Sequence, residues 1–277
     1  MSMLINPFWL PPELWTPADL PVAPQIWLNE TSGMSLSSTS VNQWDDISGN
    51  GFHGTQSGSA RPIANSSGLN SMRTVEFDGS DDSLLFSGAT GVMRNTGAGW
   101  AIGVAKKTAL DGSNLLRSLW GFSCDTTHAT ARRLGLDLGL STNSNRPSSI
   151  ARRLDADGGA VLSASGDTDT NWHLWMVIQN WSNGNGYLYL DGAIIDQSTP
   201  LTSTGSTSNT ASDAVRLGST PQNTGRCDCS VAEWVVGSGS VPSSDDIDRL
   251  HGALAWKWGI QANLSGGHPY ASAAPYA

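Results

Sequence analysis

Apolar residues in this chain come in short runs separated by residues that favour turns, which is the pattern of many short strands and little helix. Thr74–Phe77, Leu84–Phe86, Trp100–Ala105, Leu115–Phe122, Trp172–Gln179, Tyr187–Leu190 and Val231–Val236 all read as strands. Between them, Asn50-Gly51, Asp78-Gly79 and Asp191-Gly192 supply the positive φ angles that tight reversals need. Ser/Thr/Asn-rich stretches at 141–149 and 199–213 read as long loops. A helical period occurs near the end of the chain. Ser243 or Ser244 can cap it, Asp245 and Asp246 suit its positive end, and Ile247, Leu250, Leu254 and Trp258 make one apolar stripe. Gly259 can stop it, so the spacing predicts a helix over about 243–258.

The first 24 residues follow neither period. They hold six prolines together with Trp9 and Trp15, and read as an extended arm ahead of a domain over 25–277. Apolar side chains on a segment that cannot fold alone need a surface, either this chain's own sandwich or a neighbouring subunit.

Composition narrows the function classes. Gly 31, Pro 13 and only 14% charged residues suit an all-β domain whose strands are joined by turns. A net charge of −9 argues against nucleic acid as a partner, since phosphate must be met by a basic patch. Lys106, Lys107 and Lys257 are the only lysines, too few for a polybasic membrane anchor. No run approaches the ~18 apolar residues of a membrane span, and the N-terminus lacks a secretory pattern, so a soluble, non-secreted chain is expected. Cys227 and Cys229 share a face if their segment is a strand; with Cys124 they are expected to be reduced structural thiols.

One hairpin gives a candidate ligand site. If residues 181–186 connect Trp172–Asn180 to Tyr187–Leu190 so that Met176 opposes Leu190 and Ile178 opposes Leu188, the register sorts the faces. Leu174, Met176, Ile178, Leu188 and Leu190 then form an aliphatic core face. His173, Trp175, Gln179, Tyr187 and Tyr189, with Val177, form the other. Aromatic rings that stack on sugar faces, beside amide and imidazole groups that bond hydroxyls, suit glycan binding; the same aromatics suit cover by another layer of the chain.

Catalytic signals are weak. Glu13, Glu30, Glu76 and Glu233 are the only glutamates, and Glu76 with Asp78 is the nearest approach to the carboxylate pair of a glycoside hydrolase. The chain has no nucleophile elbow, zinc-protease motif, C-x-x-C pair or phosphate loop, and its five histidines are scattered singly. A non-enzymatic role is expected.

Two groups of segments resemble laminin-G-like (concanavalin A-like) domains of tailed-phage virion proteins and some bacterial surface proteins. Near the N-terminus these are LWTPADL, IWLNETSG, VNQWDDISGNGFHGTQ, ARP and VEFDGSDDSLLF; at the end, AWKWGIQANLSGGHPYASAAP. Asn29 stands where the family pattern has an acidic residue. The resemblance implies an all-β, two-sheet antiparallel jelly-roll sandwich with a C-terminal helix and an extended N-terminal arm. It also implies a virion protein assembled in a bacterial cytoplasm and present in many copies or as a homo-oligomer. The arm would contact other virion proteins, and the domain would bind bacterial surface polysaccharide. Many relatives carry calcium, for which Asp78, Asp81 and Asp82, or Asp111 with Asn114, are the candidates; turn chemistry explains aspartate at the same places without an ion. Capsid decoration or tail cement without sugar binding, and polysaccharide hydrolysis, are the competing functions.

Overall fold

The computed structural model describes residues 13–110, 115–124, 132–139, 145–211 and 214–277. Their strands form an antiparallel sandwich. At the centre of the back sheet lies β17 (Asp228–Ser238), paired along its length with β8 (Ala98–Lys107). Beyond β8 follow β13 (His173–Asn180), β14 (Asn185–Leu190) and β15 (Ala193–Ser198). On its other side β17 meets β6 (Met72–Asp78), then β5 (Ile63–Leu69), and over Trp234–Val236 it meets β1 (Ile26–Leu28).

The front sheet runs β2 (Met34–Ser37), β3 (Ser40–Trp44), β4 (Gly54–Thr55), β7 (Leu84–Leu85), β16 (Val215–Leu217), β9 (Arg117–Ser123), β10 (Arg132–Gly139), β11 (Ser148–Ala151) and β12 (Ala160–Ser163). A single pairing, Ser40 with Ile63, joins the two sheets along one edge. β11 begins inside the stretch expected to be loop. Ser148 and Ser149 are buried there, because partners on both sides satisfy their backbone where the local composition offers no strand signal.

Aromatic residues fill the space between the sheets. Trp234 packs on Phe86, Trp120 and Phe122 with ring centroids at 5.1, 6.0 and 6.1 Å. Trp44, Trp175 and Trp181 are buried in the same core. Each such ring removes about 150–250 Å² from water, worth roughly 4–6 kcal/mol gross at ~25 cal/mol per Å². Cys227 and Cys229 point into this core, and all three cysteines are buried and free of disulfides.

A second core lies on the far side of the back sheet, under α1 (Ser244–Trp258). The Ser243 hydroxyl accepts from the Asp246 backbone N–H at 3.1 Å, and Gly259 ends the helix at φ 71°. Ile247, Leu250, Leu254 and Trp258 face Ile102, Val104, Leu174, Met176, Ile178 and Val235, as the stripe required. The same layer takes up residues 14–20: Trp15 and Leu20 are buried in it. The Trp15 N–H donates to the Pro275 carbonyl and the Ala277 N–H to the Glu13 carbonyl, both at 3.0 Å. This part of the arm therefore rests on its own domain, whereas Trp9 lies outside the described residues. No helix among the described residues is long and apolar enough to cross a membrane.

The hairpin register is one residue away from the expected one. Asn180 pairs with Asn185 across a four-residue connection, so Met176 opposes Tyr189, Ile178 opposes Tyr187, Trp175 opposes Leu190 and Val177 opposes Leu188. Side chains alternate along a strand, so this single step sends all of β14 to the opposite face from that expected. Asp191 and Gly192, at φ 49° and 81°, make the next reversal into β15.

Candidate functional site

The five residues expected to form an aromatic glycan platform are divided between two layers. Trp175, 1% exposed, belongs to the core between the sheets. Gln179 is also buried, and its Nε2 donates to the Gly184 carbonyl and to Thr202 Oγ1, which holds the loop that follows. Tyr187 and Tyr189 lie on the other face against the helix layer, with the Tyr189 ring tilted against His251 at a centroid distance of 5.5 Å. Burial, with Tyr187 and Asp248 nearby, pushes the Tyr189 hydroxyl up to about 12. His173 is clamped between Asp191 Oδ2 at 2.6 Å and Asp169 Oδ1 at 2.9 Å. Desolvation opposes its protonation, but those two carboxylates outweigh it and the imidazole is raised. A platform needs its rings on one open face, and here Trp175 and Gln179 are buried between the sheets while the half-buried Tyr187 and Tyr189 lie on the opposite face.

Asp78, Asp81 and Asp82 do converge, with one oxygen from each within 4.8 Å of the others. Asp78 Oδ1 accepts from the backbone N–H groups of Ser80, Asp81 and Asp82, Asp82 Oδ2 accepts from the Asp78 N–H, and Asp81 Oδ2 accepts from Ser59. Burial, together with the charges of Asp78 and Asp81, pushes Asp82 up to about 6 although the Asp78 N–H pulls the other way. Each carboxylate already uses one oxygen within the fold, whereas calcium requires about six to eight oxygen ligands. The cluster fits a hydrogen-bonded turn and falls short of a calcium cage. Asp111 and Asn114 lie outside the described residues. Glu76 and Asp78 share a face of β6 as expected, beside a cleft of about 180 Å³ that Asp82 and Asp228 also line. Glu76 accepts from Asn65 Nδ2 at 2.7 Å, so both members of the pair are held by local partners.

The segments near the two ends of the chain meet at a buried carboxylate. Glu233, 0% exposed at a bulge in β17, accepts from Trp27 Nε1 and Trp258 Nε1 at 2.6 Å and from Lys257 Nζ at 2.7 Å. Burial pushes this carboxyl up, and Lys257 and the indole donors oppose it. Asp46 organises the loop after β3 by accepting from the backbone of Trp27, Ser48 and Phe52, each at 2.9 Å. These signature residues hold the architecture together.

The site missed by sequence reading lies on the outer face of the front sheet. Leu84, Leu217 and Trp120 point into the core, so their neighbours Leu85, Arg216 and Gly121 point outward, and Thr55 follows through its pairing with Leu85. Thr55, Gln56, Ser57, Leu85, Arg216 and Asn223 line a cleft of about 360 Å³ there, within the size range of small-ligand sites. Ser83 braces its base by donating to Asn223 Oδ1 and accepting from Gln56 Nε2 and Arg216 Nη1. Asn223 adopts φ 62°, a conformation asparagine tolerates better than most residues. The cleft combines a small apolar floor with hydroxyl, amide and guanidinium groups, and can therefore pack a sugar ring while bonding its hydroxyls. Beside it, Arg132 lies close over Gly121 and Gly135, within 3.1–3.2 Å of where a Cβ would stand, and forks onto Asp137.

No protein-family model and no curated protein matches this sequence. Solved structures do resemble the fold. The receptor-binding domain of botulinum neurotoxin type G aligns at TM-score 0.56 and 9% identity over 83% of this chain and 51% of that one. A Trypanosoma rangeli sialidase in complex with 2,3-difluorosialic acid gives 0.58 and 14% over 86% and 34%. Botulinum neurotoxin type C, whose cell entry depends on interaction with two ganglioside molecules, gives 0.53 and 11% over 84% and 51%. This chain spans about half or a third of the length of those proteins, and the likeness is one of fold: a β-sandwich with antiparallel sheets.

Proposed function

We propose that this chain is a non-enzymatic adhesion module that binds bacterial surface glycan through the front-sheet cleft and is carried in many copies on a tailed-phage virion. The observation that carries this reading is the cleft itself, a polar concavity floored by Leu85 on the face opposite the helix layer. Two further points support it. Sandwich neighbours of the same fold include a receptor-binding domain and a toxin that engages gangliosides. The resemblance of the terminal segments to laminin-G-like phage proteins supports the virion setting.

A shallow cleft of this size gives weak binding at one site, and multiple copies on a particle multiply it through effective concentration. The test is retention of a labelled, multimerised form on intact bacteria and on their purified polysaccharides, beside Thr55→Trp, which fills the cleft from β4. Retention by the native protein and its loss in a variant of unchanged melting temperature are the expected results. Absence of retention on every polysaccharide would overturn the adhesive reading and leave a purely structural virion role.

A further inference from the structure

We infer that the front-sheet cleft is selective for acidic glycan, a sugar bearing a carboxylate or phosphate oxyanion, with Arg216 supplying the counter-charge. This rests on the adhesive reading of the same cleft and names the ligand class it takes.

Two of the guanidinium groups on this sheet are paired with carboxylates. Arg132 forks onto Asp137, with Nη2 to Oδ2 at 2.7 Å, and Arg133 is paired with Asp155. Arg216 has no such partner among the described residues. Its Nε donates to the Pro221 carbonyl and its Nη1 to Ser83 Oγ, both at 3.2 Å, so neutral groups aim the fork without cancelling its charge.

None of the residues lining the cleft is acidic. Arg61, adjacent to Ala60 at the rim, donates to the Gly58 carbonyl and Asn42 Oδ1, again neutral acceptors. Among the described residues Asp82 and Asp228, close in sequence to the lining Leu85 and Asn223, line the separate cleft beside Glu76 instead. In a chain of net charge −9, a cleft with uncompensated arginines is a local reversal of sign. Burial lowers the Arg216 guanidinium and Arg226 lowers it further, a strain that a bound anion relieves. The overall negative charge disfavours a densely charged nucleic acid, whereas one oxyanion on an otherwise neutral sugar matches a few arginines set among hydroxyl and amide groups.

The experiment uses the full chain and three probes: a polyuronate such as alginate, the same polymer with its carboxyls reduced to alcohols, and a poly(glycerol phosphate). Binding to the polyuronate or the phosphate polymer, weakened about ten- to a hundredfold by Arg216→Gln, is expected. Arg216→Lys, which keeps the charge and loses the fork, should fall between; Arg249→Gln on α1 should bind as the native protein does. Whichever charged polymer binds identifies the oxyanion. Equal binding of the carboxyl-reduced polymer, which needs no variant to fold, would overturn the inference and leave adhesion standing. Binding to neutral glycans alone would do the same, and binding to no polymer or cell would overturn both.

Discussion

Replacing Glu233 by alanine tests the junction that ties the helix layer to the back sheet. The change removes the acceptor of two indole N–H groups and of the Lys257 ammonium at once, in a site with no exposure to water. Lys257 retains a partner in Glu30 at 2.9 Å, so the main loss falls on Trp27 and Trp258. An orphaned buried donor costs about 1–3 kcal/mol, and breaking a buried charged pair about 3–5 kcal/mol. We expect Glu233→Ala to lose about 4 kcal/mol, and Glu233→Gln about half of that, since an amide presents one acceptor and turns a donor toward the second indole. At about 2–4 °C per kcal/mol for a domain of this size, the alanine variant should melt about 10 °C or more below the native protein. Urea unfolding with an unchanged m-value, run beside the exposed control Glu13→Ala, separates stability from a change in the unfolded state. A loss below about 1 kcal/mol for Glu233→Ala would refute the view that this carboxylate is a structural clamp.

Acid should weaken the helix layer. Burial holds His251 down at about 4, with His268 adding to that and the Ile247 carbonyl opposing it. The unfolded chain therefore binds the extra proton first, and stability is lost as pH falls from about 6.5 through about 4, by up to roughly 3 kcal/mol. His251→Leu should flatten melting temperature against pH in that window. His173 acts in the opposite sense, its contribution being present below its unfolded value and lost as pH rises through its raised folded one. Trp175→Ala should cost about 3–5 kcal/mol by leaving a cavity between the sheets, measured by chemical denaturation; full stability with lost glycan binding would contradict its burial.

Much of the architecture was already determined by the sequence. The helix stripe and its caps, the strands around Trp100, Trp175 and Val235, and the Asp-Gly turns are local signals, set by backbone sterics and by a period that needs no distant partner. The terminal motifs were also legible, although only the structure shows why they occur together, since Trp27 and Trp258 meet at Glu233. Tertiary structure decided the candidate site. A one-residue step in the β13–β14 register moved Tyr187 and Tyr189 under the helix while Trp175 stayed between the sheets. Alternation of faces is certain along one strand, but the offset between two strands depends on what each face packs against. Thr55, Leu85 and the Arg216–Asn223 segment lie far apart in the chain, with Thr55, Leu85 and Arg216 on strands of two or three residues and Asn223 in a loop. Elements that short carry no readable period, and they become one surface only when the front sheet brings them side by side.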